Sequence, residues 1–150
     1  MAADPAVTAE LDSLAHPDDP CDLFNDLALT AADRFTANDG LAQFTFIHGV
    51  TVPTMAQQLL PRLDAPVIAE LTAAVTCFVL YAIAAFDNGA PAPPLAPPSI
   101  DRGELARAAA ASCEDHTIKF TDACLTLADR TGNPLALQAA EYRYRNPPQP

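Results

Sequence analysis

Apolar positions recur along this chain at helical spacing. Leu23, Leu27, Ala31 and Phe35 fall at i, i+4, i+8 and i+12, with Asp22, Asp26 and Asp33 between them, which predicts an amphipathic helix from Asp22. Asn38-Asp39-Gly40 is its stop signal. Phe44 to Gly49 follows, either a short helix or an extended piece. Pro53 biases Val52 away from the α region, so Thr51 is the expected cap of a helix running to about Leu60, just before Pro61. Asp64 and Pro66 open a long apolar helix to about Phe86, closed by Asn88-Gly89.

Residues 91–98 hold five prolines in eight positions, which no helix or central strand tolerates, so they read as an extended surface linker. Asp101, with Glu104 three residues on, caps the next helix. It carries the alanine-rich run 106–111 and is expected to continue to about Asp129. Thr131-Gly132-Asn133-Pro134 is a turn, and a last short helix covers Leu135 to about Arg143. No alternating β-branched run and no internal repeat interrupts this pattern. The expected fold is an all-α bundle of about five helices. Residues 1–20 form an acidic leader with three prolines, 21–145 one helical domain, and 146–150 a fraying tail.

Composition narrows the function. Half of the 150 residues are hydrophobic, enough for a packed core. Nineteen carboxylates against eight basic side chains give a formal charge of −11. Nucleic acids and anionic membrane surfaces are recognised by clustered cations, so both are excluded as expected partners. The acid is concentrated: residues 1–40 hold nine Asp and Glu against Arg34 alone. The longest uncharged run, Leu71 to Phe86, is sixteen residues, short of the roughly 20 a membrane span needs. It reads as a buried core helix. The N-terminus lacks the basic start and apolar stretch of a signal peptide. Cys21, Cys77, Cys113 and Cys124 show no zinc-like spacing. On one continuous helix Cys113 and Cys124 would lie about 16 Å apart, beyond disulfide reach. A cytoplasmic, reducing location is the expectation.

Candidate chemistry is sparse. His16 sits among prolines and acids, as an exposed loop histidine would. His48 is flanked by Phe44, Phe46, Ile47 and Val50, so it is either a core histidine bonded to a carbonyl or a ligand or acid/base group. In Cys113-Glu-Asp-His116-Thr-Ile-Lys119, His116 and Lys119 share a helix face with Ser112, Ala109 and Leu105 behind them and Ala123 and Leu127 ahead. Lys119, the only lysine, is thereby expected in a stripe that is buried. Either desolvation frees its amine, or it snorkels to water while His116 pairs with Glu114 or Asp115. There is no GxGxxG, P-loop, GxSxG or HExxH.

Phe46-Ile-His48-Gly-Val-Thr51 with Pro53 and Leu59-Leu60-Pro61, and Glu114-Asp-His116-Thr-Ile-Lys119-Phe-Thr-Asp-Ala-Cys124-Leu125, resemble two segments of the questin oxidase family. The order of the segments, the apolar helix between them and the Asn133-Pro134 turn also fit, over roughly residues 20–142. The resemblance implies an α-helical oxidoreductase that opens an aromatic polyketide ring of the anthraquinone type. It further implies a non-haem iron held by His48, His116 and a carbamylated Lys119, a ligand set suited to ferrous iron and dioxygen. It leaves open whether NADPH or flavin takes part.

Full members are much longer, and the matched segments belong to their C-terminal portion. The chain then reads as a fragment, a half-length paralogue or one part of a split enzyme. It is expected to associate with itself or with a partner supplying the missing portion, through the apolar faces of residues 67–86 and 105–123. The alternative is a helical partner protein or small aromatic-ligand binder that has lost the chemistry.

Overall fold

In the computed structural model the described residues are 19–147; most of the expected acidic leader, with His16, and residues 148–150 of the tail lie outside them. They form six α-helices and, among them, no strand: α1 (Pro20–Ala37), α2 (Gly40–Leu59), α3 (Ala65–Phe86), α4 (Arg102–Ser112), α5 (Asp115–Thr131) and α6 (Pro134–Arg145). A single 3-10 turn, Leu60–Arg62, joins α2 to α3. The all-α expectation holds, and its capping chemistry is visible. Asp19 accepts from the Cys21 amide with Pro20 in the first turn of α1, so the helix starts inside the segment read as leader. Asp101 accepts from the Gly103 and Glu104 amides at the start of α4, and Asn133 from Leu135 N–H at the start of α6.

The main core lies where α1, α2, α5 and α6 meet. Phe35 of α1 packs its ring 4.3 Å from that of Phe120 on α5, with Phe46, Ile47 and Val50 of α2 closing the same space. Alanines 136, 139 and 140 let α6 lie close against it. α1 and α2 approach closely at Gly49: a Cβ there would come within 2.8 Å of the Ala31 Cβ. A smaller cluster of Phe24, Leu27, Leu60, Val75 and Val79 attaches α3 to α1 and α2.

Three sequence expectations need correction. First, α2 is one helix of 20 residues passing straight through Pro53. Proline there forgoes one backbone bond, but both of its flanks are buried against neighbouring helices, and packing outweighs the local penalty. Second, the expected helix 101–129 is two helices. Cys113 takes a left-handed conformation (φ 53°), and Glu114 starts a new helix by accepting from the amides of His116 and Thr117. A left-handed non-glycine costs about 1–2 kcal/mol; it lets α4 fold back so that Leu105 and Ala109 reach the core, and it places Cys113 and Cys124 on different elements. The face of residues 105–123 is thus partly core, with Leu105, Ala109, Phe120 and Ala123 buried and Ala106, Ala110 and Ala111 exposed.

Third, α3 is not a core helix. Five of its 22 residues are buried, and Val67, Ala74, Cys77 and Tyr81 line an exposed face. It is also the one helix among the described residues long and apolar enough to cross a membrane, by length and composition. The proline-rich linker is extended as expected, and side chains of α6 hold it in place. Gln138 donates to the carbonyls of Leu95 and Ala96, and Glu141 accepts from Ser99 N–H, Ser99 Oγ–H and Ile100 N–H, which straps the linker along α6. Burial raises the Glu141 carboxyl, but these bonds and Arg145 outweigh it and hold it at about 2.

Candidate functional site

The left-handed turn at Cys113 sets Glu114 at the N-terminus of α5, facing the C-terminal turn of α6. There Arg143 is 6% exposed, on the same face as the core alanines 136, 139 and 140. Its Nη2–H donates to Glu114 Oε2 at 3.0 Å and its Nε–H to Thr117 Oγ1 at 3.0 Å. Glu114 Oε1 accepts from the His116 amide (3.1 Å) and from His116 Nδ1–H (3.2 Å), and Oε2 also from the Thr117 amide (2.6 Å). Burial raises the Glu114 carboxyl, while the hydrogen bonds from Thr117, Arg143 and the His116 amide overcome it and bring it down to about 2. The carboxylate is therefore ionised at any physiological pH.

Two cavities flank this bridge. One, of about 660 Å³, lies between α4, α5 and α6; Leu105, Ala108, Ala109 and Tyr144 give it apolar walls, and Ser112, Glu114, Thr117, Thr121 and Arg143 its polar groups. The other, of about 560 Å³, lies on the far side of Glu114 and Arg143, against Gln43, Phe44, Ile47, His116 and Tyr142. Both volumes are in the range that takes a small organic molecule.

His48 and His116 come together. Their ring centroids are 5.4 Å apart, edge to face, and both pack on Phe44, at 5.0 and 4.6 Å. His48 Nδ1–H donates to the Phe44 carbonyl (3.1 Å) and His116 Nδ1–H to Glu114, so each imidazole keeps its Nε2 as an acceptor. Lys119 does not share their environment. Breaking the helix at Cys113 resets the buried face of α5 to Phe120, Cys124 and Leu127, and Lys119 falls on the solvent side. Its Nζ bonds Asp115 at 2.7 Å with 64% of the side chain exposed, so the expectation of a buried lysine fails. Cys124 is fully buried, and burial pushes its thiol up, away from reactivity. All four cysteines are free.

As a metal centre the donor set is incomplete. Among the described residues no three His, Cys, Asp or Glu side chains are grouped to hold an ion. Two imidazoles do not by themselves satisfy a first-row metal. Sequence reasoning missed Arg143, Thr117 and Thr121. One signal for Arg143 was present: an arginine in register with Ala136, Ala139 and Ala140 stands on the buried face of its helix.

The class this defines is a six-helix bundle with a polar-floored cleft at the junction of its last three helices. No family model matches the chain, and no curated protein and no solved structure matches it either.

Proposed function

We propose that this chain binds a small aromatic molecule in the cleft between α4, α5 and α6. The observation that carries the reading is a cavity of about 660 Å³ with alanine, leucine and tyrosine walls and one buried guanidinium. Apolar walls with a few convergent polar groups are the usual make-up of a small-molecule site. Alanines 108 and 109 are the smallest side chains of these walls and leave room for a ring system. The resemblance to questin oxidases supports the same ligand class, an anthraquinone-like polyketide. The test is titration with 1,8-dihydroxyanthraquinone, followed by its own visible absorbance, against the wild type and Ala108→Phe, which fills the cleft from a half-buried position. Saturable binding weakened at least about tenfold by the phenylalanine is expected. No saturable binding, or equal binding by both proteins, refutes the reading.

The paired imidazoles favour a second reading: half of a non-haem iron site of the questin oxidase type. Metal-ligating histidines have their second nitrogen fixed by a carbonyl or carboxylate, as His48 and His116 do. In this reading the remaining donors come from a partner chain or a second copy, and Lys119 joins them only by leaving Asp115 and taking up carbon dioxide. The test is iron content after anaerobic incubation with ferrous iron, for the wild type and His116→Ala. Uptake lost in the variant supports it; no uptake by the chain alone or mixed with a candidate partner refutes it.

A further inference from the structure

We infer that the ligand of the α4–α5–α6 cleft is an aryl carboxylate, held by the end edge of the Arg143 guanidinium. This rests on the reading of that cleft as an aromatic-ligand site. A guanidinium presents two edges. The side edge of Arg143, its Nε–H with one Nη2–H, is engaged by Thr117 Oγ1 and Glu114 Oε2. The end edge, Nη1–H with the other Nη2–H, has no acceptor among the described residues, although the side chain is 94% buried. Arginine stays charged at any accessible pH, and no Arg143 nitrogen is among the buried side-chain atoms left without a partner, so this edge is the part of the guanidinium that water, or a ligand replacing it, can reach.

Glu114 cannot supply acceptors there. Both of its oxygens already accept two bonds each, from the His116 amide and imidazole and from the Thr117 amide and Arg143. Nor can Ser112, whose hydroxyl donates to the Ala109 carbonyl and accepts from the Glu114 amide. The cleft is therefore left with an excess of donors on an apolar surround. Thr121 adds a further hydroxyl to the lining: the residue is 4% exposed and faces the cavity, and its oxygen is not among the buried atoms left without a partner, so it too is open to what fills the cleft. Two parallel N–H groups at fixed spacing match the two oxygens of a carboxylate in a way that a hydroxyl or a single carbonyl does not. The apolar walls select the aromatic body, and the fork selects the acid.

The experiment uses anthracene-9-carboxylic acid and its neutral analogue 9-anthracenemethanol, whose fluorescence reports binding. On the wild type the acid should bind at least about tenfold tighter than the alcohol. In Arg143→Gln the preference should fall to within about twofold, with helical content checked by circular dichroism. If that variant does not fold, the comparison of acid, methyl ester and alcohol on the wild type still decides. Equal, saturable binding of all three, blocked by Ala108→Phe, overturns the carboxylate assignment and leaves the aromatic cleft standing. Absence of binding by any of them overturns both.

Discussion

Replacing Glu114 by glutamine keeps the shape of the side chain at the α4–α5 turn and removes its charge. Four donors converge on that carboxylate: two amides, an imidazole N–H and the Arg143 guanidinium. Burial raises the carboxyl, but the hydrogen bonds from Thr117, Arg143 and the His116 amide overcome it and lower it from 4.5 to about 2. At about 1.36 kcal/mol per pH unit the preference for the ionised form in the folded state is at most about 3 kcal/mol. About a third of the side chain faces water, and screening there reduces the expected contribution to about 2 kcal/mol. Because the folded value is depressed, this stabilisation is present in full above the unfolded value near 4.5. It is lost as pH falls from there through about 2.

The assay is urea unfolding followed by circular dichroism at pH 7 and at pH 2.5, for the wild type and Glu114→Gln. At pH 7 the variant should be less stable by about 2 kcal/mol, a fall of roughly 4–8 °C in Tm for a chain of this size. At pH 2.5 the gap should shrink to under about 1 kcal/mol, since the wild type has by then lost most of the same contribution. An equal gap at both pH values would refute the reasoning, for it would show that shape and capping rather than charge set the cost. A gap under about 0.5 kcal/mol at pH 7, the range of an ordinary surface change, would show that Arg143 does not depend on its partner.

Three further outcomes are expected. Thr76→Val should raise stability by about 1 kcal/mol, because the Thr76 hydroxyl is buried without a hydrogen-bond partner; a lower urea midpoint would count against it. Gly49→Ala should destabilise despite alanine's better helix propensity of about 1 kcal/mol, since its Cβ would meet the Ala31 Cβ at 2.8 Å and overpacking of this kind costs about 1–3 kcal/mol; thermal melting decides. Lys119→Met should change stability by less than about 0.5 kcal/mol and leave binding of the dihydroxyanthraquinone unaltered, as expected of an exposed i, i+4 ion pair; a large loss of binding would place Lys119 at the site after all.

The helical class, the extended run of prolines and the starts of α4 and α6 were legible residue by residue, because each signal acts within about one turn of the chain. Asp101, Asn133 and the 3.6-residue period of Leu27, Ala31 and Phe35 act locally, and folding leaves them where the pattern puts them. The grouping of His48 with His116 was implied only by the questin oxidase resemblance, which set Lys119 beside them, whereas Lys119 bonds Asp115 in solvent. What one turn of chain cannot encode is which neighbour arrives. Pro53 reads as a boundary until the helices packed on both its sides make continuity cheaper than a break. Residues 101–129 read as one helix until the Glu114–Arg143 bridge and the burial of Leu105 favour folding back at Cys113. That single turn rotates Lys119 into water, and by setting α4 beside α6 it opens the cleft over Arg143. The apolar face of α3 stays uncovered for the same reason: composition fixes how much of a helix would rather be buried, but only the other helices decide how much is.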